Sequence, residues 1–220
     1  KGQDEPRNPF NSSLSIPPAN LARGHRAVNA LDPDHPLVVV QAPRGTVKGL
    51  VPSRPAFDIG GVDIYPVGYP PGAHTDQKNK DISVVGDVSR WIKQAVGTKP
   101  FWMTLQVAWS GVIPTSAKPD LVPRFPSAAE LRFMAYQAIA NGARGLVFFG
   151  GHLTEVMSPA DAKAGWNWSY WDEALRPLVQ ELSSDSLQPA LAAPAAKATV
   201  TSSSADLEVA VRKAGSFMYV

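Results

Sequence analysis

Four short apolar runs punctuate this chain: "PLVVVQA" (36–42), "FDIGGVDIYPV" (57–67), "PFWMTLQV" (100–107) and "GLVFFGG" (145–151). Each has the length and the valine, isoleucine and aromatic content of a strand, and stretches of helical spacing lie between them. Such β-α alternation predicts a parallel α/β architecture. The first and last runs are almost continuously apolar, the pattern of strands buried on both faces. Loop lengths add a direction. Connections from helix into strand are short ("DPDHP", "GTKP", "GARG"), whereas those from strand to helix are long (about 67–83, 107–126 and 151–168). The elaborated loops therefore gather at the carboxyl ends of the strands, where α/β barrels and open α/β sheets hold their ligands.

The helices are readable from stripes and caps. "SAAELRFMAYQAIANG" (127–142) combines a capping box, Ser127 with Glu130, with an apolar stripe of Leu131, Met134, Ala135 and Ala138 and an Asn141-Gly142 stop. "VGDVSRWIKQAV" (85–96) groups Val85, Val88, Trp91, Ile92 and Val96. "PPANLARGHRAVNAL" (17–31) puts Leu21, His25 or Val28, and Leu31 on one side. A helix over about 169–183 has Pro177 inside it, which predicts a kink or a late start.

From about residue 186 the character changes. An Ala/Pro-rich linker (186–197) precedes alternating segments, Leu207-Val209-Val211 and Phe217-Tyr219, bounded by "SSSAD" and "KAG". This predicts strand-turn-strand at 198–220, the beginning of an antiparallel β domain of sandwich type. Residues 1–185 would be a separate α/β unit. Four βα units do not close a barrel of eight, and an open sheet of four leaves two bare edges. The chain accordingly reads as a segment of a longer protein.

Composition narrows the chemistry. With 21 basic and 19 acidic residues in 220, and no block of like charge, nothing favours capture of nucleic acid or anionic lipid. No apolar run reaches the roughly 20 residues of a membrane span. The chain has no cysteine, which excludes disulfides, thiolate metal sites and a cysteine nucleophile. The compartment stays open, with an extracellular or periplasmic setting favoured. HExxH, phosphate-loop, dinucleotide-loop and GxSxG patterns are absent, and the four histidines are scattered, so neither a metal nor a cofactor is expected.

Near the start stands "DEP", an acid before a proline, Asp4-Glu5-Pro6, one βα unit ahead of "PLVVVQA". Together with "FDIGGVDIYPV", "KPFWMTLQ", "RFPSAAELRFMAYQAIANGARGLVFFG" and "LRPLVQEL", it resembles the second half of a TIM-barrel glycoside hydrolase of the clan A type, over about 1–185. The resemblance implies the C-terminal half of a (β/α)8 barrel that requires its N-terminal half, and a carbohydrate substrate. It also implies that Glu5, at the end of the fourth barrel strand, is the general acid/base. The clan's nucleophile is a glutamate ending strand seven, where this chain has Gln106. An amide cannot take that part. Either the second carboxylate comes from elsewhere, or the substrate assists itself, or the protein is a non-catalytic carbohydrate-binding relative.

Two residues are candidates for the second carboxylate, and one from the N-terminal half of the implied barrel is an equal alternative. Asp63 shares a strand face with Tyr65 near the carboxyl end of its run, and Glu155 lies with His152 in the loop "GGHLTEVM". Substrate contacts are expected from Asp4, Tyr65, Gln106, His152 and the loop aromatics Trp109 and Trp166, whose flat rings suit the apolar faces of pyranoses. Tyr69 and Trp168 occupy the same loops.

Overall fold

The protein is described by a computed structural model covering residues 5–6, 15–198, 200–204 and 206–220. Its elements are α1 (Pro18–Leu31), β1 (Val38–Gln41), α2 (Val47–Leu50) running into a 3-10 turn (Val51–Ala56), β2 (Ile59–Ile64), α3 (Val84–Val96), β3 (Phe101–Gln106), α4 (Ala128–Ala140), β4 (Gly145–Phe149), α5 (Pro159–Ala164), α6 (Trp168–Tyr170), α7 (Arg176–Leu182), α8 (Gln188–Ala192), β5 (Arg212–Ala214) and β6 (Phe217–Tyr219). The fold is mixed α/β. Strands β1 to β4 form one parallel sheet in the order β1-β2-β3-β4, and β5 pairs antiparallel with β6. Among the described residues no helix is long and apolar enough to cross a membrane.

Alternation along the strands separates two chemistries. Val39, Val62, Ile64, Phe101, Met103 and Leu105 point to the side carrying α3 and α4, where they join Val84, Val88, Ile92, Leu131, Met134 and Ala138 in one continuous core. Gly60 lets α3 come close: a Cβ there would lie 2.3 Å from Cγ1 of Val96. The four stripe residues of α4 are completely buried, and Ser127 and Glu130 make the reciprocal capping box. Asn141 ends that helix and Gly142 follows at φ 100°, as the stop signal predicts.

Three expectations need revision. The outer strands are not buried on both faces: β4 exposes Val147 and Phe149, and β1 half-buries Val38 and Val40, because all four point to the open face of the sheet and line a cavity there. The expected side of α1 makes contact only over its first half. Leu21 packs against the core beside the buried Ala22, and His25 is tied to Asp58 at 3.0 Å, whereas Val28 and Leu31 are exposed beyond the end of the contact with the 51–56 turn. Finally, 207–211 is not a strand. The hairpin forms one segment later, at Arg212–Ala214, with Gly215 at φ 59° in its turn.

Pro177 acts as the sequence suggests. The helical path from Trp168 to Leu182 widens into a π turn at Trp171–Leu175, and Pro177 falls in the first turn of α7, where its missing N–H costs nothing. The 186–197 stretch is packed and contains α8. Arg144 donates to the carbonyls of Ala192 and Ala193, and Arg212 donates to Ala193 and Ile139.

Candidate active site

The open face of the sheet carries a cavity of about 650 Å³. Its floor comes from alternate strand positions: Val38 and Val40 on β1, Asp63 on β2, Trp102 and Thr104 on β3, and Val147 and Phe149 on β4. Tyr65, just beyond β2, and His74, Arg44 and Trp109 from the loops at the carboxyl ends close its rim. Glu5 reaches the same cavity. Its backbone N–H donates to the carbonyl of Val40 at 2.8 Å, which seats it beside the outer edge of β1, and the Pro6 carbonyl accepts from Ile16 N–H at 2.8 Å. Glu5 has φ 40°, the left-handed region that disfavours a side chain. Such a backbone costs on the order of 1 kcal/mol and persists where surroundings enforce it, often at functional positions.

Polar and aromatic groups converge here. A carboxylate oxygen of Glu5, one of Asp63 and a ring nitrogen of His74 lie within 4.8 Å of one another. The His74 ring lies tilted by 36° against Tyr65 with centroids 4.3 Å apart and makes a T-shaped contact with Trp109 at 4.7 Å. Phe149 stacks on the other ring neighbourhood of Tyr65 at 5.6 Å. Burial, and secondarily the charge of Arg44, lowers the His74 pKa to about 3, so its imidazole is neutral at ordinary pH. The 3.7 Å approach of His74 Nε2 to Asp63 Oδ2 is therefore not an ion pair. The Tyr65 backbone N–H donates to His74 Nδ1 at 3.3 Å, which leaves the proton of a neutral ring on Nε2, facing Asp63.

That tautomer bears on metal binding. By distance alone, Glu5, Asp63 and His74 are a possible ligand trio for a divalent cation. A metal-bound imidazole uses its lone pair on the ligating nitrogen and usually donates from the other. Here the arrangement is reversed: Nδ1 accepts, and Nε2 carries hydrogen toward the carboxylate. With its Nε2 lone pair unavailable in this tautomer, His74 makes the trio a poor cation site.

Glu5, Asp63, Tyr65 and Trp109 are thus gathered into one cavity, while the other candidates are not. Gln106 is fully buried, and its side chain makes a two-point contact with Val67, accepting from N–H and donating to C=O at 2.7 Å each. This holds the start of the 65–83 loop against β3. Glu155 is exposed in the turn Thr154–Val156, outside the cavity lining. His152 is exposed and touches the site only through its edge contact with Phe149 at 5.4 Å. Trp166 lies against Gly151, where a Cβ would come within 2.7 Å of its ring, and does not line the cavity. Asp4 lies outside the described residues.

Sequence reasoning passed over His74 and Arg44. Both sit in loops at the carboxyl ends of strands, and that location was the available signal. Arg44 is anchored by Asp76 at 2.8 Å and by the Ala73 carbonyl at 3.0 Å, so the two loops hold each other. Other cavities are chemically poorer: one of about 520 Å³ between α4 and the β5-β6 segment is lined mainly by apolar side chains, and its Arg212 is spent on backbone carbonyls. No protein-family model and no curated protein matches the chain.

Proposed function

We propose that the protein is a glycoside hydrolase, with Glu5 as general acid/base and Asp63 as the second carboxylate. The observation that carries this reading is the meeting of Glu5 and Asp63, remote in sequence, within 4.8 Å in an aromatic-walled cavity on the open face of the parallel sheet, rimmed by loops from the strands' carboxyl ends. Glycosidic cleavage asks for two such groups. Protonated Glu5 gives its proton to the departing glycosidic oxygen as the bond to the anomeric carbon breaks, and an Asp63 oxygen bonds that carbon. Glu5, now ionised, then takes a proton from water whose oxygen displaces Asp63. The short separation favours this retaining course, which uses about 5–5.5 Å, over inversion, which needs about 6.5–9.5 Å to admit water. His74, neutral and with hydrogen on Nε2, can donate to Asp63 and steady its anion.

The sheet supports the architectural half of the proposal. Its strand order runs without reversal, one face is covered by helices, and among the described residues β1 and β4 each have a strand partner on one side. We infer that four further βα units pair with the other sides of β1 and β4 to complete a (β/α)8 barrel. The Glu5 contact with Val40 is where the preceding strand of such a barrel would run.

A second reading is a carbohydrate-binding barrel without turnover, favoured by the amide of Gln106 and its commitment to Val67. One experiment separates the two. Full-length protein is assayed on a panel of oligosaccharides, and Glu5→Gln is then compared for turnover and binding. The hydrolase reading expects turnover that falls by about 10²- to 10⁴-fold in the variant while binding persists. Binding without turnover in the unmodified protein selects the second reading, and neither binding nor turnover rejects both.

A further inference from the structure

Beyond Trp109 the cleft continues. A second cavity of about 730 Å³ shares Arg44 and Trp109 with the first and is walled by Tyr69, Pro70, Gly111 and Lys118. Trp109 is the partition between them. It makes a T-shaped contact with His74 on the inner side, and on the outer side it lies so close to Gly111 that a Cβ there would stand 2.2 Å from its Cζ2. Tyr69 is 54% exposed, yet its backbone is fixed: it donates to Val122 C=O at 3.3 Å and accepts from Val122 N–H at 3.2 Å. An exposed ring on a braced backbone is a platform, available without ordering cost.

We propose that this outer cavity is a second sugar-binding subsite, so that the ligand is an oligosaccharide of at least two pyranose units lying across Trp109. The proposal rests on the carbohydrate reading above and extends it to chain length and to Tyr69. A pyranose presents an apolar face of C–H bonds and a polar fringe of hydroxyls. The outer cavity offers the Tyr69 and Trp109 rings for the face and Arg44, Lys118 and Asp120 for the fringe. Arg44 is already neutralised by Asp76. Lys118 and Asp120 balance each other in sign, so an uncharged sugar suits the cavity better than a uronate. Both chambers are within the size range of small-molecule sites, about 300–1,000 Å³.

The test measures binding, not turnover. Titration calorimetry on full-length protein carrying Glu5→Gln, so that bound sugar is not cleaved, compares cello-, xylo-, manno- and laminari-tetraose with the matching methyl monoglycosides, alone and with Tyr69→Ala or Trp166→Ala added. One tetraose is expected to bind at least about tenfold more tightly than its monoglycoside, an advantage that Tyr69→Ala removes without weakening the monoglycoside. Trp166→Ala should change neither. Equal affinity for the tetraose and monoglycoside, or a Tyr69→Ala loss shared by both, overturns the subsite while leaving the sugar reading intact. If no sugar binds, the carbohydrate reading fails and the subsite with it. Matching thermal melts for the variants show that a lost advantage is not lost structure.

Discussion

The two faces of the same four strands have been put to opposite uses. On the helix side, Val62, Met103 and Leu105 are wholly buried among the side chains of α3 and α4. On the other side, one residue along, Asp63, Trp102 and Thr104 line a cavity with Glu5 and His74. Strand alternation alone produces this division, since successive side chains leave a strand in opposite directions. The difference teaches where each kind of substitution should register: stability on the covered face, and ligand chemistry on the open one.

The sharpest way to break the comparison is a pair of neighbours on β3. Met103→Ala removes a fully buried side chain from the core and should cost about 2–5 kcal/mol in chemical denaturation. Thr104→Ala, facing the cavity, should cost much less and should instead change ligand affinity. Equal destabilisation by the two would mean that the open face is packed as tightly as the covered one.

Within the open face, His74 supplies a pH signature. Its pKa is about 3 in the folded protein and near the ordinary 6.5 when unfolded, so between these values the unfolded state binds the extra proton. Its contribution is fully present above pH 6.5 and declines as pH falls, reaching about 2 kcal/mol of lost stability by pH 5 at ~1.4 kcal/mol per pH unit. The lowered carboxyl groups of Asp58, Glu130 and Glu181 keep their stabilisation above the unfolded carboxylate range and lose it at lower pH, which leaves roughly 5–6.5 as the window for His74. His35, raised by Asp32, acts in the opposite sense at the exposed surface, so it is present in both proteins compared. His74→Asn retains an acceptor for the Tyr65 N–H and does not titrate. Urea unfolding at stepped pH should show a slope in the unmodified protein that the variant lacks. Identical slopes would mean that water reaches the ring and that the cavity is wetter than the covered face by more than its lining implies.

The sequence exposes these two faces unequally because the forces behind them differ in range. The covered face is local and repetitive: the stripe from Leu131 to Ala138, its Ser127-Glu130 cap and the strand runs all announce themselves within a few residues. Asp63 and Tyr65 could likewise be assigned to one face by counting in twos. Glu5 was legible only as an acid before proline, and its contact with Val40 is set by a neighbour far along the chain. The role of His74 depends on a long loop folding back onto Tyr65, and no periodicity encodes that return. Gln106 shows the same limit. Its position suggested a ligand contact, but a buried amide beside an unpaired loop backbone has a closer partner in Val67. α1 was legible only in its first half: Leu21, Ala22 and His25 make its contact, while Val28 and Leu31 continue the stripe into solvent.

The smallest effect expected lies at the end of α4, outside both faces but supporting one. Ser127 accepts the Glu130 N–H at 3.2 Å, while the Glu130 carboxylate accepts the Ser127 N–H at 2.8 Å and holds Arg124 with two bonds of 2.7 Å. Ser127→Ala deletes one member of this arrangement and spares the others. It should therefore cost about 1 kcal/mol, a fall of roughly 2–4 °C in thermal midpoint by circular dichroism. Ligand affinity at the open face should be unchanged, since α4 touches the other side of the sheet. A parallel loss of affinity would show that the helix layer transmits strain through β3 into the cavity, and the two faces would then have to be treated as one coupled unit.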